Sequence, residues 1–381
     1  MKTTSSTLPK NLLCFSHLRW DFVFQRPQHL LSRFAMETNV FFLEEPLFNA
    51  EDEEQISVDS KTAQLTILRP QLKAGSDQSQ VISSLKTLLA NFLSTEDLQD
   101  WVFWYYTPMA LQFSQHYKPA LVVFDCMDEL SAFDFAPKEL VHMEQKLMQT
   151  ADVVFTGGYS LYEAKKHQHN NIHAFPSSID KEHFAAGRTA IAEPEDQAGI
   201  QGTKLGFFGV IDERFQIDLI DYIATNRPDW QLILIGPVVK IPFDSLPQKN
   251  NIHYLGQKSY QELPAYLAGW DIALIPFKMN ESTRFISPTK TPEYLAAGVR
   301  VVSTPIRDVV KPYGIERLVS IAEKPEDFLA AITYQLENED QREWLKKVDE
   351  FLKDKSWNHT YAAMKKQILL AIDESNSRMA S

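Results

Sequence analysis

The chain has 381 residues, enough for two or three domains that each bury a core, which excludes a miniature domain held by disulfides or zinc. Hydrophobic residues make up 44% and charged residues 23%, and 13 glycines with 20 prolines exclude a fibrous or low-complexity chain. Lys and Arg total 38 against 50 Asp and Glu, and the formal charge of -12 excludes a broadly basic surface for nucleic acid.

The compartment is indicated by what the sequence lacks. Residues 1–10 are polar and contain no apolar core of a signal peptide, and no later run reaches the roughly 18 apolar residues of a membrane-spanning helix. Cys14 and Cys126 both lie in apolar runs, as buried thiols of a reducing compartment do. We therefore expect a cytoplasmic protein, with room for a weak peripheral contact at the inner face of the cell membrane.

The first half of the chain alternates short apolar runs with longer amphipathic segments, a pattern that predicts βα units around a mainly parallel sheet. Strands are predicted at 12–16, 40–43, 65–68, 102–105, 121–125, 153–156 and 172–175. Helices are predicted at 27–36 and 140–148, where apolar residues fall on one face. The acidic segment 50–61 is predicted to be a solvated loop.

A linker is predicted at 186–203, because this stretch has no hydrophobic period and contains a proline and three glycines. A second alternation follows, with strands predicted at 204–208, 231–235, 252–255, 272–275 and 300–303 and helices at 216–225, 260–268 and 292–297. The chain is helical after residue 325. The predicted domains are 1–185 and 204–355, and a C-terminal segment at 356–381 forms the last helix.

Ligands of such sheets bind outside the carboxyl ends of the strands. The richest cluster of this kind is 287–298, where Thr291 suits a helix cap, Pro292 the first helical position and Gly298 the stop. Lys290 beside a helix N-terminus favours a phosphate. Glu293 has two open interpretations: a partner of ribose hydroxyls, or a first-turn carboxylate that only complements the helix dipole.

The end of the strand at 204–208 carries a second cluster. Gly209 lets a ligand approach the backbone, and Arg214 can fork to a phosphate. The alternative is a surface pair between Arg214 and Asp212 or Glu213. Gly236 follows the next strand in the same way.

The segment after the first strand, 16–29, is dense in aromatic, carboxylate and guanidinium groups. Aromatic faces with planar hydrogen-bonding groups suit a saccharide. The predicted binding residues of this half are Arg19, Trp20, Gln25, Arg26 and, after a later strand, Tyr106. In the alternative, the rings of this segment alternate into the core while Asp21 and Arg26 pair on the surface.

The run from Ser287 to Lys290, continued by Glu293 to Gly298 and by 301–304, resembles the donor-binding motif of GT-B glycosyltransferases, most closely bacterial family 4 and glucuronosyltransferase-like enzymes. Segments 171–184, 251–256, 263–267 and 271–276 are also similar to those enzymes. The resemblance implies an α/β fold of two doubly wound, Rossmann-like domains facing a central cleft, with the last helix crossing back to the first domain.

The resemblance also implies site roles in the second domain. Lys290 and Arg214 would lie near the diphosphate of a UDP donor, and Glu293 on the ribose. The backbone of Gln257 and Lys258 would lie near the base. Donor-binding residues predicted on all these grounds are Gly209, Arg214, Gly236, Gln257, Lys258, Ser287, Thr289, Lys290 and Glu293.

Two positions depart from the family pattern. Phe285 stands where a glutamate is usual eight positions before Glu293, and Val210 stands where an arginine often follows the first glycine. These departures concern the way the donor sugar is held more than nucleotide binding itself.

The chemistry depends on stereochemistry, which the sequence leaves open. Transfer with inversion needs a group that accepts the proton of the acceptor hydroxyl, and the candidates are Asp128, Asp21 and His17. Transfer with retention needs no such base, because the leaving diphosphate can take the proton. Asp125 is a candidate structural partner of Arg19 or Arg26.

We expect neither a metal nor another cofactor. The chain has no Asp-x-Asp triplet, and His167 and His169 lie on a polar helix end more typical of solvated side chains than of zinc ligands. Arg214, Lys290 and a helix dipole would then neutralise the diphosphate.

The first hypothesis is therefore a metal-independent glycosyltransferase of bacterial surface-polysaccharide or glycolipid assembly. Its partners would be a nucleotide-sugar donor, most often a UDP-hexose, and a glycan or lipid-linked acceptor, with no nucleic acid. The alternatives are a UDP-sugar epimerase of the same fold and a non-catalytic nucleotide-sugar-binding subunit.

Overall fold

The structure is a computed structural model that describes residues 7–379 apart from 135, 190 and 339. Residues 1–6 of the predicted first domain, residue 190 of the predicted linker and residues 380–381 of the predicted last helix lie outside the described residues. The chain divides into two compact units. The second unit is Ser177–Trp357, and the first contains the described residues before and after it.

The first unit is built on a mainly parallel sheet. Its strands are β1 (Asn11–Phe15), β2 (Asn39–Leu43), β3 (Leu47–Ala50), β4 (Gln55–Thr62), β5 (Leu65–Lys73), β6 (Trp101–Tyr105), β7 (Leu121–Cys126), β8 (Val153–Thr156) and β9 (Ile172–Ala174). The order is β3-β5-β2-β1-β6-β7-β8-β9, and only β4 among them runs antiparallel, beside β5. The central strand β1 is buried along its whole length, as a parallel strand covered on both faces must be.

Helices of the first unit follow the strands in βα order. They are α1 (Arg26–Phe34), α2 (Gln78–Phe92), α3 (Leu111–Ser114), α4 (Leu140–Thr150) and α5 (Tyr159–Lys165).

The second unit is an entirely parallel sheet among the described residues. Its strands are β10 (Thr203–Phe208), β11 (Trp230–Ile235), β12 (Ile252–Gly256), β13 (Ile272–Ile275), β14 (Arg300–Ser303) and β15 (Val319–Ile321). The order β12-β11-β10-β13-β14-β15 is that of a doubly wound dinucleotide fold, with its switch point between β10 and β13. The α/β, doubly wound class predicted from the sequence is confirmed.

Among its described residues, the second unit has two short helices before β10 and further helices between and after its strands. They are α6 (Lys181–Ala185), α7 (Glu195–Ala198), α8 (Ile217–Asn226), α9 (Leu263–Leu267), α10 (Lys290–Ala296), α11 (Arg307–Val309), α12 (Pro325–Glu337) and α13 (Gln341–Leu352).

The last helix, α14 (Trp357–Met379), begins in the second unit and belongs to the first from Asn358 onward. Glu37 at the end of α1 accepts bonds from Tyr361 at 2.5 Å and from Lys365. The ring of Tyr361 also packs edge-on against Phe34, 4.9 Å between centroids. The chain therefore leaves the first unit once and returns to it by this helix.

Three elements differ from the sequence prediction. Segment 50–61 is not a loop, because residues 55–62 form β4 at the edge of the sheet. The charged residues there, such as Asp59 and Lys61, are typical of an edge strand, which must stay soluble on its unpaired side. The short strands β3 and β15 were not predicted, since three or four residues carry too little pattern.

The predicted linker also differs, because residues 186–203 pack into the second unit. Arg188 forms an ion pair with Asp349 at 2.9 Å, and the side chain of Gln197 is fully buried, where it accepts from Trp270 at 2.9 Å. The boundary lies after Pro176 instead of after residue 185. This segment has no hydrophobic period because polar side chains, those of Arg188 and Gln197, anchor it to the second unit. The missing period does not mean that the segment is unpacked.

No helix in the described part of the chain combines the length and the apolar character that crossing a membrane requires.

Candidate functional site

The loop after β10 lies at the switch point of the second sheet and is held on both sides by neighbouring loops. Ile211 exchanges backbone hydrogen bonds with Pro237 and Val239 in the loop after β11, each at 3.0 Å. On the other side, the amide of Lys278 donates to the carbonyl of Arg214 at 2.8 Å. The loops after β10, β11 and β13 therefore form one framed surface at the edge where such sheets bind ligands.

Two glycines at this surface cannot be replaced without moving the backbone. Gly209 and Gly236 have φ angles of +136° and +139°, a region that other residues rarely adopt. A Cβ at Gly236 would lie 1.9 Å from the carbonyl oxygen of Gly209. The prediction that both glycines allow close approach is consistent with this geometry, although what approaches here besides protein stays a prediction.

Lys290 lies directly over Gly209. A Cβ at Gly209 would lie 2.2 Å from Cε and 2.6 Å from Nζ of this lysine. The Nζ atom is 5.6 Å from the ring centroid of Phe207, near the end of β10, and 5.6 Å from that of Phe277, which follows β13. The cation is thus placed at the switch point between two aromatic rings.

Glu293 stands one helical turn after Lys290 on α10 and is 4% exposed. Among the described residues, neither its carboxylate nor the Lys290 ammonium has a hydrogen bond or an ion pair within 4 Å. Burial raises the pKa of Glu293 and lowers the pKa of Lys290, while the charge of each partner opposes these shifts. The Glu293 carboxylate is buried and the Lys290 side chain is half-buried. Charged groups in such places are costly without hydrogen bonds, and a ligand that forms those bonds would offset the cost.

The charge of Arg214 adds to the lowering of the pKa of Lys290, after the larger effect of burial, while the charges of Glu293 and Asp212 oppose it. The Arg214 guanidinium donates to Asp212, with Nη2 to Oδ2 at 2.6 Å and Nε to Oδ1 at 3.0 Å. The local pair left open by the sequence is therefore formed, with Asp212 buried. Contact of Arg214 with a phosphate stays a prediction.

The start of α10 differs from the prediction. The helix begins at Lys290 after the cap position Thr289, so Thr291 and Pro292 lie within the first turn and were wrongly placed as cap and first residue. The Thr291 hydroxyl is buried without a hydrogen-bond partner. The helix ends just before Gly298, as predicted. Ser287, a predicted donor residue, accepts a bond from the hydroxyl of Ser177 at its carbonyl, at 2.5 Å.

Gln257 and Lys258 follow β12. Gln257 is exposed, whereas the ammonium of Lys258 donates to Asp196 at 2.6 Å and lies 5.5 Å from the ring centroid of Tyr266. Hydrogen bonding to Asp196 raises the pKa of Lys258. The lysine side chain is thus committed within the protein, and a role of the backbone near a base stays a prediction.

In the first unit, the predicted saccharide-binding residues before α1 lie on the loop between β1 and α1, residues 16–25, which we name the acceptor loop. Trp20 is half-buried and packs edge-on against Phe42 at 5.1 Å between centroids. Gln25 caps α1 together with Gln28. Phe22 and Phe24 are 37% and 40% exposed, so the alternative that these rings fill the core is wrong.

Two predicted acceptor residues are instead buried. Arg26 is 5% exposed and donates to both carboxylate oxygens of Asp125, at 3.1 and 2.8 Å, and to the carbonyl of Phe175 at 2.7 Å. Tyr106 is 1% exposed, and burial followed by the charge of Asp125 raises the pKa of its hydroxyl. Position at a strand end did not distinguish these structural residues from surface ones. Arg26 and Tyr106 are therefore corrected to core residues.

The three candidate bases differ in their surroundings. Asp21 forms ion pairs with Lys61 at 2.8 Å and Arg69 at 2.7 Å. Asp128 and His17 are half-buried after β7 and β1. A catalytic role for any of the three stays a prediction. The described residues contain no group of three or more His, Cys, Asp or Glu that could hold a metal ion.

Several contributors to these surfaces were not predicted. Phe207 and Phe277 flank Lys290, and the hydroxyl of Tyr294 accepts from the amide of Phe208 at 3.0 Å, which holds the end of β10. Glu44, after β2, binds the acceptor loop. For Phe207, Phe277 and Glu44 the only sequence signal was position at a strand end, which buried core residues share, whereas Tyr294 lies on α10.

The chain is similar to known proteins both in sequence and in structure. Residues 216–369 match the family model described as glycosyl transferase-like. The Bacillus subtilis (strain 168) protein TuaH, named as a teichuronic acid biosynthesis glycosyltransferase, is 28% identical over 247 residues, which cover 60% of this chain and 62% of TuaH. The match thus spans less than two thirds of that relative.

Among solved structures, sucrose-phosphate synthase from Thermosynechococcus elongatus has a TM-score of 0.70 at 12% identity, covering 94% of this chain and 98% of that one. An Escherichia coli trehalose-6-phosphate protein bound with UDP-2-fluoro glucose has a TM-score of 0.67 at 12% identity, covering 94% and 99%. The chain has the GT-B fold. The residues that match the glycosyl transferase-like model include Lys290 and Glu293, and the resemblance to GT-B glycosyltransferases predicted from the sequence is confirmed.

Proposed function

We propose that this GT-B chain is a glycosyltransferase that moves a sugar from a nucleotide-sugar donor, a UDP-hexose, to a hydroxyl of a glycan or glycolipid acceptor. The donor would bind the second unit and the acceptor the first. The glycosyl transferase-like domain at residues 216–369 supports the activity.

The observation that carries the proposal is the pair formed by Lys290 and Glu293. Both lie at the switch point of the second sheet, where this class of fold binds nucleotides, and neither has a hydrogen bond or an ion pair within 4 Å among the described residues. A diphosphate would supply the anion that Lys290 lacks, and ribose hydroxyls would supply donors to Glu293. One nucleotide therefore satisfies both groups.

In the proposed reaction the acceptor oxygen forms a bond to the anomeric carbon of the sugar. The bond from that carbon to the diphosphate oxygen breaks, and the electron pair leaves with the diphosphate, whose charge Lys290 and Arg214 would stabilise. The acceptor proton passes to Asp128 in an inverting reaction or to the leaving diphosphate in a retaining one.

Metal independence belongs to the proposal and is supported by the cations of the site. Transfer is expected to continue in EDTA, because Lys290 and Arg214 take the role that a divalent ion has elsewhere. Loss of transfer in EDTA with recovery on adding Mg²⁺ or Mn²⁺ would contradict this part.

The names of similar proteins support the classes of donor and acceptor. TuaH is named for teichuronic acid biosynthesis, a bacterial polysaccharide, and the Escherichia coli structure holds a UDP-sugar analogue. We propose a cytoplasmic location, supported by two buried free cysteines in the described residues.

A panel of UDP-, GDP- and dTDP-sugars tests the proposal. We expect UDP-sugars to raise the melting temperature most, and the best of them to be hydrolysed slowly to UDP and transferred to one of a set of octyl glycosides. Interconversion of UDP-hexoses without an acceptor would indicate the epimerase instead. Binding of UDP with neither hydrolysis nor transfer would indicate a non-catalytic subunit.

A further inference from the structure

The acceptor loop is attached to the sheet through one buried carboxylate. Glu44 directly follows β2, and its side chain is 1% exposed. Its Oε1 accepts the backbone N–H of Trp20 at 2.8 Å, and its Oε2 accepts Nη1 of Arg19 at 3.1 Å. Two consecutive residues of the loop therefore bind the same carboxylate.

A third donor fixes the carboxylate from the side of the sheet. Arg69 on β5 donates its Nε to Glu44 Oε2 at 3.0 Å. Arg69 also reaches Asp21 on the loop, at 2.7 Å, and Asp59 on β4, at 3.0 Å. Lys61 completes the set by pairing with Asp21 and Asp59.

These six charged side chains form a balanced group of three cations and three anions, which we name the loop network. Its members are Arg19, Asp21, Glu44, Asp59, Lys61 and Arg69. Side chains at its margin are 22% to 53% exposed, whereas Glu44 is buried. Exposed pairs contribute little because water screens them, so the buried member carries most of the effect.

The loop has no glycine to shape its backbone, and its Trp20 packs edge-on against Phe42. Besides Glu44, it is held by Gln28, whose side-chain amide donates to the carbonyl of Trp20 at 2.7 Å. Arg19 also donates to the carbonyl oxygens of Glu45 and Pro46. Its course is thus set by polar bonds, and a buried carboxylate without its donors would be strongly unfavourable.

We propose that Glu44 is the positioning residue of the acceptor loop: by fixing Arg19 and Trp20 it sets the geometry in which the acceptor is bound. This inference rests on the proposed function. Glu44 contacts no substrate itself and acts through the two residues that it holds. Misplacement of binding groups by about 1 Å is enough to lower transfer about 100-fold.

The test uses the full chain with Glu44→Gln and, as matched control, Asp59→Asn. Both changes remove one negative charge and one partner of Arg69, but Asp59 bonds no residue of the acceptor loop. We expect amide hydrogen exchange of residues 17–24 to become about tenfold faster in Glu44→Gln and to stay unchanged in Asp59→Asn.

The second measurement is steady-state transfer from the active UDP-sugar to the active octyl glycoside. For Glu44→Gln we expect the acceptor KM to rise about tenfold, while UDP affinity by calorimetry stays within about twofold. A merely structural role would lower kcat and UDP affinity together by reducing the folded fraction. Should Glu44→Gln not fold, Arg19→Gln removes the loop side of the same bond and is expected to speed amide exchange of residues 17–24 in the same way. Its acceptor KM is not used, because Arg19 is itself a predicted acceptor-binding residue.

Unchanged exchange in the loop, equal effects of Glu44→Gln and Asp59→Asn, or an unchanged acceptor KM would each overturn the role of Glu44. If the unaltered protein neither binds UDP nor transfers sugar, the proposed function fails instead, whatever the exchange data show for the loop.

Discussion

Lys290 and Glu293 make the donor site sensitive to pH. Burial lowers the pKa of Lys290 from 10.5 and raises that of Glu293 from 4.5. A bound diphosphate brings negative charge beside Lys290 and favours its protonated form. Binding of UDP should therefore take up protons, and its affinity should fall as the pH rises through the lowered pKa of Lys290.

Calorimetric titration with UDP above pH 7, in buffers that differ in ionisation enthalpy, measures this uptake. We expect positive uptake in the unaltered protein and little in the double variant Lys290→Met/Glu293→Gln, which has no titratable group at the pair. Equal proton uptake in both proteins would show that the protons bind to groups other than Lys290 and Glu293.

Gly236 offers a test of the framed surface at the switch point. In Gly236→Ala the new Cβ would meet the carbonyl of Gly209, and the positive φ would add strain of about 1–3 kcal/mol. We expect about tenfold weaker UDP binding by calorimetry, because the shift displaces the backbone under Lys290.

Gly199→Ala is the control for Gly236→Ala. Among the described residues beyond its chain neighbours, no atom would lie within 4 Å of a Cβ added at Gly199, and the φ of Gly199 is not positive. UDP affinity should therefore not change. Equal UDP affinity in both variants would show that Gly236 and the framed surface around it are not part of the donor site.

Prediction from sequence was uneven at the residue scale. Lys290 and Glu293 were predicted as site residues because both charges occur at the start of a short helix that ends at Gly298 and follows a strand. Arg26 and Tyr106 have the same kind of position, yet they are buried. The partners of Arg26, Asp125 and Phe175, are 99 and 149 positions away in the chain, and a local pattern carries no information on such pairing.

Among the elements, α1 and β7 are joined by the buried ion pair of Arg26 and Asp125. Removing one member leaves the other charge buried without compensation, which costs about 3–5 kcal/mol. We expect Asp125→Asn to lower the urea midpoint of the first unit markedly.

The matched control is Asp229→Asn, which removes a carboxylate from an exposed pair with Arg227 at 2.6 Å. Exposed pairs contribute about 0–1 kcal/mol, so the midpoint should hardly move. Similar midpoints for the two variants would mean that the Arg26–Asp125 pair does not hold the fold.

Strands were predicted well where they are long and buried, as β1 and β11 are. Burial on both faces of a parallel sheet requires a continuous apolar run, and such a run is visible locally. The edge strand β4 has the opposite composition, because half of it faces water. The acidic residues 51–54, just before β4, led to the prediction of a loop.

For the whole molecule, the two-unit organisation followed from the repeated βα rhythm, but the boundary did not. Residues 186–203 have the composition of a linker and nevertheless pack into the second unit through Arg188 and Gln197. The net charge of -12 is unfavourable for an anionic nucleotide, so the donor site depends on a few local cations.

The most direct test of the account is UDP calorimetry on the unaltered chain, Lys290→Met and the control Lys249→Met. Lys249 carries the same charge, pairs with Asp221 at 2.8 Å and is not among the predicted donor-binding residues, so its variant should keep the affinity of the unaltered chain. The account expects one site per chain and at least about tenfold weaker binding in Lys290→Met, equivalent to about 1.4 kcal/mol. Equal affinity in all three proteins would contradict it, because the donor would then bind elsewhere.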